Sequence, residues 1–563
     1  MKKEHFNRTA ALFLLAAATS SGLFSAVFPQ TAAAGSPIIT NTPEKGTLTI
    51  HKTDTSSPPK AVGGAVYTAY RILALTPGSE TGEFASFSVM EPYRELFHEK
   101  GITADALGNY SASHLEALIT ELEVLTANDS GTVFPATASE TGETSLELPL
   151  GWYLIVETNA PEGSIATAPF LAAIPSTNNL TVPGAPQTEG SEWIYDIFAA
   201  PKASPITVDK TISNGQAEHD SAFTASGTFF SGKNETAALN DYIQYSITAA
   251  VPAYGPSYFH KNASPVFELL DTMSSGLTIQ NSGEHPVTVR TGERVIPEKE
   301  GDIINYTFTA APKDGEEPDL SIKFTDAFLR NEAYRGKEVT VSYYAKINEQ
   351  AVMGTEGNTN NVVLSYENRP GHTITASPEK DDPSVIPDTY VYTYGIEVEK
   401  FSEEAKAPLQ GAEFKLFKDK AMTQAVSGAD GEEIQVTDSS GSLAFPRLDA
   451  GTYYLKEVKS PSGYSLLSNP VKIQIIPSKD SDGKITNGNF TLTVDGKPVS
   501  ETEGSHITRL STAKGIATIA IENHKGFSLP ATGGSGIAIT VLISASGLLV
   551  ITIFLLRSKK KDR

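Results

Sequence analysis

The sequence predicts an all-β protein built as tandem immunoglobulin-like β-sandwiches, with one minor helix in its first third. Three observations carry that expectation. Short runs rich in Thr, Val, Ile and Tyr alternate in polarity and are broken by Gly, Pro, Asn and Asp, as in "GTLTIHK", "DYIQYSITA", "KEVTVSYYAKI" and "NVVLSYEN". The same pieces recur in the same order at both ends: "GTLTIHK" then "GGAVYTAYRI" is matched by "GIEVEKF" then "LQGAEFKLF", and "GWYLIVETNAPEGS" by "GTYYLKEVKSPSGY". Two proline-containing junctions, Phe198 to Val208 and Pro378 to Tyr390, read as linkers that each precede a strand-like run carrying a lysine.

Taken in chain order, residues 1–34 have the layout of a secretory signal: Lys2, Lys3 and Arg8, an apolar stretch from Ala10 to Ala18, and the small residues "TAAAG" ending at Gly35. Three modules are expected to follow, at 35–200, 203–389 and 390–526. The helix is "SASHLEALITELEVL", Ser111 to Leu125, with apolar residues at helical spacing behind a Ser start signal. Residues 527–563 form a tail in which Ile537 to Leu556 is apolar for long enough to cross a bilayer core of roughly 30 Å. Arg557, Lys559, Lys560, Lys561 and Arg563 come next, so the positive-inside rule keeps the extreme end in the cytoplasm and everything before Ile537 outside.

The chain has no Cys, so an exported protein of 563 residues must be stabilised by its cores or by another covalent device. A formal net charge of −22 argues against nucleic acid or anionic lipid as the main partner, because those surfaces select clustered Lys and Arg.

Strand alternation points several ionisable residues inward, where they break the usual burial rule. Lys400 is in phase with Val398 and Ile396, Glu457 with Leu455 and Tyr453, and Asn523 with Ile521 and Ile519. In the middle module Lys210 is in phase with Val208 and Ile206, Asp241 with Ile243, Tyr245 and Ile247, and Asn360 with Val362, Leu364 and Tyr366. A buried lysine loses hydration and moves toward the neutral amine, while a buried carboxyl is pushed toward its protonated form. A neutral amine is a nucleophile, an Asn amide supplies a carbonyl, and an acid beside both can polarise that carbonyl and shuttle protons as ammonia leaves. The product is a Lys–Asn isopeptide bond, closing a long loop as a disulfide does. On alternation alone, an ordinary ion pair at strand ends remains the other reading, since edge strands often break the pattern.

At these residues the chain resembles the sortase-assembled pilins of Gram-positive bacteria, and the likeness covers essentially its whole length. "LPATG" (Leu529, Pro530, Ala531, Thr532, Gly533), the apolar span and the basic tail match the cell-wall sorting signal. "YYLKEVKSPSGY" matches the E-box of collagen-adhesin B-type domains, with Val458 and Ser460 departing from it, and the resemblance makes Glu457 the catalyst of a Lys400–Asn523 bond. The middle module resembles the A-type relative, in which an early Asp plays that role; this implies Asp241 as catalyst for Lys210 and Asn360, with Asn358 and Asn361 as alternative acceptors. The first module resembles a B-type domain, with Lys52 and an E-box-like "YLIVETNAPEGS" containing Glu157, but Ser164 replaces the final Tyr and its apparent last strand has no Asn. No bond is expected there, and Lys52 with Glu157 forms at most an ion pair. "WIYDIFAAPKAS" resembles the pilin motif, keeping Trp193, Ile197, Pro201 and Lys202 and departing at Ala199, Ala200 and Ala203.

The resemblance implies a structural subunit of a covalent surface pilus supporting adhesion, not an enzyme and without a cofactor. Sortase would take the Thr532 carbonyl onto its own Cys, and the thioester would be attacked by Lys202 of another copy or by a cell-wall peptidoglycan precursor. Minor pilins are further implied partners, and membrane insertion through the tail would be transient. The alternative is a monomeric wall-anchored adhesin with a host or bacterial surface ligand. "GTFFSGKN" nearly spells a P-loop, but Asn234 stands where Ser or Thr should bind magnesium and no helix follows. The ten His show no metal-ligand spacing. "KDSDGKITNGNF" reads as a hairpin turn and lacks the full calcium loop.

Overall fold

The computed structural model describes residues 43–526 except 55–57, 77–85, 104–106, 108–109, 127–128, 130–132, 138, 140, 162, 178–192, 215–232, 256–257, 260–263, 312–316, 377–388 and 503. The signal-like segment, the sorting motif and the apolar span lie outside the described residues, as does most of the Pro378 to Tyr390 junction. No helix among the described residues is long and apolar enough to cross a membrane. The chain divides into two compact units, Met1–Ser213 with Tyr242–Lys346 and Thr359–Thr389, and Asn214–Asp241 with Ile347–Asn358 and Tyr390–Arg563.

The first unit begins with β1 (Lys45–His51) and β2 (Val66–Thr76), passes through the helices α1 (Arg94–Glu99) and α2 (Ala112–Leu125), and continues with β3 (Glu143–Pro149), β4 (Gly151–Asn159), β5 (Phe170–Ile174) and β6 (Asp196–Ala199). β1 is the middle strand of a three-stranded sheet, antiparallel to β3 and parallel to β6. The facing sheet has β2 and β4 at its centre and β5 beside β4. Leu48, Ile50, Tyr67, Ala69, Leu146 and Tyr153 fill the space between the sheets.

α2 covers the outer face of the second sheet, packing Leu115, Leu118 and Leu122 against Trp152, Leu154 and Leu171. β4 is therefore buried on both faces, which is why its sequence reads as an almost continuous apolar run instead of an alternation. Ser111 caps α2, its hydroxyl accepting from the His114 N–H at 3.4 Å, as the sequence suggests. The six-residue α1 was not anticipated; it is too short to show a helical period.

Further along the same unit lie β7 (Val208–Asn214), β8 (Tyr242–Ala250), β9 (Phe267–Met273), β10 (Glu338–Ile347) and β11 (Asn358–Arg369). β8 lies between β7 and β10 in one sheet, and β9 pairs with β11 in another. β8 alternates between half-covered and buried positions, as does β10 after its exposed first residue Glu338, which puts Tyr245 opposite Tyr343 in the core.

The second unit contains β12 (Tyr394–Ser402), β13 (Glu413–Phe417), β14 (Ser442–Leu448), β15 (Gly451–Lys459), β16 (Val471–Lys479), β17 (Ile485–Val494) and β18 (Ile516–Asn523). β12 is flanked by antiparallel β14 and parallel β18, facing a sheet that runs β13, β15, β16, β17. Ile396, Val398, Phe414, Leu416, Phe445, Leu455 and Ile519 form its core. This repeats the arrangement of β1, β3 and β6 over β2, β4 and β5. A first strand thus lies between an antiparallel and a parallel neighbour in both sandwiches.

The Phe198 to Val208 stretch, read from sequence as a linker, is more ordered than that. Phe198 and Ala199 are paired with β1, and the pairing continues beyond β6, since Thr53 donates to the Pro201 carbonyl at 3.2 Å and accepts from the Ala203 N–H at 2.7 Å. "KDSDGKITNGNF" forms the β16–β17 hairpin, with Asp480 Oδ1 accepting from the N–H groups of Asp482 and Lys484 at 2.9 Å each.

Candidate cross-linking sites

Among the described residues three lysines, Lys52, Lys210 and Lys400, lie at the core, and each meets a carboxylate. The most complete site surrounds Lys400, which is 1% exposed, with Glu457 at 1% and Asn523 at 2%. The parallel register of β12 and β18 pairs Lys400 with Ile521 and Ser402 with Asn523, so lysine and asparagine are diagonal neighbours on one face. Glu457 reaches them from β15 in the facing sheet. Lys400 Nζ contacts Asn523 Oδ1 directly and lies 3.6 Å from Glu457 Oε1. Asn523 Nδ2 donates to the same Oε1 at 3.0 Å and to Ser460 Oγ at 2.9 Å. The other oxygen, Oε2, accepts from the Leu467 N–H at 2.7 Å, which fixes the carboxyl in place. Burial pushes the Lys400 ammonium down to about 8, against the opposing pull of Glu457, and so brings the neutral amine within reach near neutral pH.

The second site surrounds Lys210 on β7, and here the structure corrects one expectation. Its acid is Asp271, not Asp241. Lys210 Nζ bonds to Asp271 Oδ2 in a fully buried ion pair. Asp271 belongs to β9, whose burial alternates through Phe267, Leu269, Asp271 and Met273. Asp241 precedes β8 by one residue, so strand alternation does not carry it inward; its carboxylate accepts from the Ala238 N–H at 2.8 Å and holds a turn. The signal for Asp271 is present in "FELLDTM", where it is in phase with three large apolar residues, Phe267, Leu269 and Met273.

The β9–β11 register sets Asn360 opposite Met273, two residues along from the position facing Asp271. Asn360 is fully buried; its Nδ2 donates to Tyr343 Oη at 3.0 Å, and its Oδ1 has no hydrogen-bond partner among the described residues. Asn358 is occupied elsewhere, accepting from the Val352 N–H and donating to the Val352 and Val391 carbonyls. Asn361 is only half-buried. The stacked rings of Tyr245 and Tyr343 lie 5.1 and 5.8 Å from Lys210 Nζ. Burial pushes the Asp271 carboxyl up, with Lys210 pulling the other way.

The third site pairs Lys52 with Glu157, both buried. Glu157 Oε2 accepts from the Thr167 N–H and hydroxyl at 2.8 Å each. Burial holds the Lys52 ammonium below its usual range, opposed by Glu157. No Asn occurs in β6, which pairs with β1 as β18 pairs with β12.

Lys202 is exposed, between buried Pro201 and buried Ala203. Its backbone is held on one side by Thr53 and on the other by the Ile206 N–H, which donates to the Gly163 carbonyl at 2.8 Å. Of the other motif residues, Trp193 pairs with Thr177 and Ile197 with Leu48.

Residues 395–491 match the family model described as SpaA, prealbumin-like fold domain. The chain is similar to the trypsin-resistant surface T6 protein of Streptococcus pyogenes serotype M6, 23% identical over 418 residues that cover 66% of this chain and 72% of that protein. It is also similar to fimbrial subunit type 2 of Actinomyces naeslundii, 23% identical over 416 residues, covering 68% of this chain and 70% of the relative. Among solved structures it shares its fold with the T6 backbone pilin of serotype M6 S. pyogenes, described as a modular three-domain structure with variable loops and extensions. The TM-score is 0.54 at 18% identity, over 87% of this chain and all of that one.

Proposed function

We propose, from the premise that this chain belongs with the Gram-positive pilin subunits, that it is the repeating structural subunit of a covalent surface pilus and that internal Lys–Asn bonds stiffen it. The observation that carries the second part is the single oxygen Glu457 Oε1, which lies 3.6 Å from the attacking nitrogen and 3.0 Å from the leaving one. Neutral Lys400 Nζ attacks Asn523 Cγ, and a C–N bond forms while the amide oxygen takes up negative charge. Glu457 Oε1 accepts a proton from Nζ and delivers one to Nδ2, which departs as ammonia when the old C–N bond breaks. Amine and amide are consumed, and a secondary amide and ammonia are produced, with no external reactant.

Lys210, Asn360 and Asp271 support the same reaction in the other unit. There the unpartnered Asn360 Oδ1 is the acceptor that a protonated Asp271 needs. Asp241 has no part in it. The Lys400–Asn523 bond ties the first strand of its sandwich to the last, so a pull on the chain passes through a covalent bond before it reaches the core.

For polymerisation, Lys202 combines an exposed amine with a backbone pinned on both sides, which suits an acceptor that an enzyme must reach without unfolding its surroundings. Sortase would join the Thr532 carbonyl of one copy to Lys202 of the next, and the last Thr532 to peptidoglycan. Intact mass of the mature chain, short of its sequence mass by two ammonia, tests the internal bonds, and a full-mass species removes them. Peptide mapping of native fibres tests the Lys202–Thr532 junction. Ladders in wall extracts that survive Lys202→Ala would show that another amine is the acceptor.

A further inference from the structure

The Lys52 and Lys400 sites repeat each other almost group for group. Each lysine N–H donates to a glycine carbonyl, Gly142 at 2.9 Å and Gly441 at 2.8 Å, and each lysine carbonyl accepts a backbone N–H, from Val62 and from Leu409, at 2.9 Å. Both glycines have positive φ, 73° and 75°, and a Cβ on either would strike the lysine's own carbonyl oxygen. Glu157 and Glu457 each anchor Oε2 on a backbone N–H ten residues further on, Thr167 and Leu467. Tyr153 and Tyr453, on the strands that carry these acids, each return a hydroxyl to a backbone carbonyl, of Pro149 and Asp449.

The parallel registers can then be compared position by position. Phe401, the residue after Lys400, pairs with Glu522, and the next, inward residue is Asn523. Thr53, the residue after Lys52, pairs with Lys202, and the next residue is Ala203, 3% exposed.

We propose that Ala203 occupies the electrophile position of a third cross-linking site, with Lys52 as its nucleophile and Glu157 as its proton carrier, so that this sandwich lacks covalent closure for want of one side chain. The inference rests on the isopeptide reading of the Lys400 site, which supplies the template. With an amide at position 203, Lys52 Nζ would attack its Cγ, Glu157 would carry one proton from Nζ to the departing nitrogen, and ammonia would leave. A second difference would slow the step. Ser460 Oγ accepts from the leaving nitrogen of Asn523, and Ala160, the corresponding residue after Glu157, has no hydroxyl.

The test is mass spectrometry and peptide mapping of the mature full chain carrying Ala203→Asn. One more ammonia should be lost than in the wild type, with a linked peptide joining Lys52 to position 203. Adding Glu157→Ala should abolish that loss, and adding Ala160→Ser should raise the closed fraction. The Lys400–Asn523 linked peptide in the same digest separates the two ideas. If it is absent, the template reading fails; if it is present while Lys52 stays unmodified in a folded Ala203→Asn chain, the assignment of position 203 is overturned. The wild-type digest tests the inference independently of how the variant folds: Lys52 must appear there as an unmodified lysine, and a wild-type Lys52 joined to any residue overturns it.

Discussion

In the Lys400 sandwich the lysine and the asparagine occupy neighbouring strands of one sheet, and the acid comes across from the facing sheet. In the Lys210 sandwich the acid and the asparagine occupy neighbouring strands, and the lysine comes across. The three functional groups are the same, but the proposed bond has a different mechanical meaning in each. At Lys400 it reinforces a pairing that backbone hydrogen bonds already make; at Lys210 it staples two sheets that are otherwise held by side-chain packing. The requirement common to both is a dry pocket in which the amine, the amide and one carboxyl are buried together.

The largest expected effect comes from the acid of the inter-sheet staple. Asp271→Asn should leave the chain one ammonia heavier, relative to its own sequence mass, than the wild type is to its own. The open loop then spans 150 positions (360 − 210, from Asn360 and Lys210). By loop entropy, losing that closure costs roughly 5 kcal/mol, read as a lower unfolding midpoint in denaturant. An Asp271→Asn chain that still shows both ammonia losses would break the comparison at its base.

Glu457→Gln should act similarly within one sheet, across a separation of 123 residues, at a cost of roughly 5 kcal/mol and with one ammonia retained. Here pH sharpens the contrast. Only the neutral amine attacks, and Lys400 is held down to about 8, so closure of freshly folded wild-type chain should speed up roughly tenfold per pH unit below that value and level off above it. A closure rate that falls as pH rises through this range would point to a protonated group as the limiting one.

Alternation was enough to bring Lys400, Glu457 and Asn523 forward from the sequence, because all three lie inside regular strands with large apolar neighbours in phase. The same rule points to Lys210 and Asn360, and two acids meet it, Asp241 and Asp271, of which Asp271 is the one beside Lys210. Asp241 keeps the phase of Ile243 and Tyr245 but stands just outside the strand, where its carboxylate turns to a local N–H. Asp241 is the acid that the family resemblance implies from its place early in the module, whereas Asp271 lies inside the regular alternation of β9. Two elements of the fold escape alternation for a related reason. β4 carries helices on its outer face, which sequence alternation cannot show, and α1 is shorter than the period needed to detect a helix.

Lys52 and Glu157 offer a smaller and different break. With no amide to capture, they are a buried ion pair, whose desolvation offsets most of its attraction. Lys52→Met alone strands a buried carboxylate and should cost roughly 3 to 5 kcal/mol, whereas Lys52→Met with Glu157→Leu should be near neutral or stabilising. Denaturant unfolding of the two variants measures this. If the double replacement is as damaging as the single one, the pair contributes more than its mutual compensation.

The smallest effect belongs to Asp241, and it separates placement by strand phase from placement by burial. Asp241→Ala removes one carboxylate-to-N–H hydrogen bond, to Ala238 at 2.8 Å in a half-exposed turn. A loss of about 1 kcal/mol is expected, with the mass deficit of two ammonia unchanged. The turn still has the Asp241 N–H donating to the Ala238 carbonyl and the Ile347 N–H donating to the Asp241 carbonyl, and neither depends on the side chain. A chain that regained one ammonia on this change would return the catalytic role to Asp241, and would require β8 to begin a residue earlier with its first side chain turned toward Lys210.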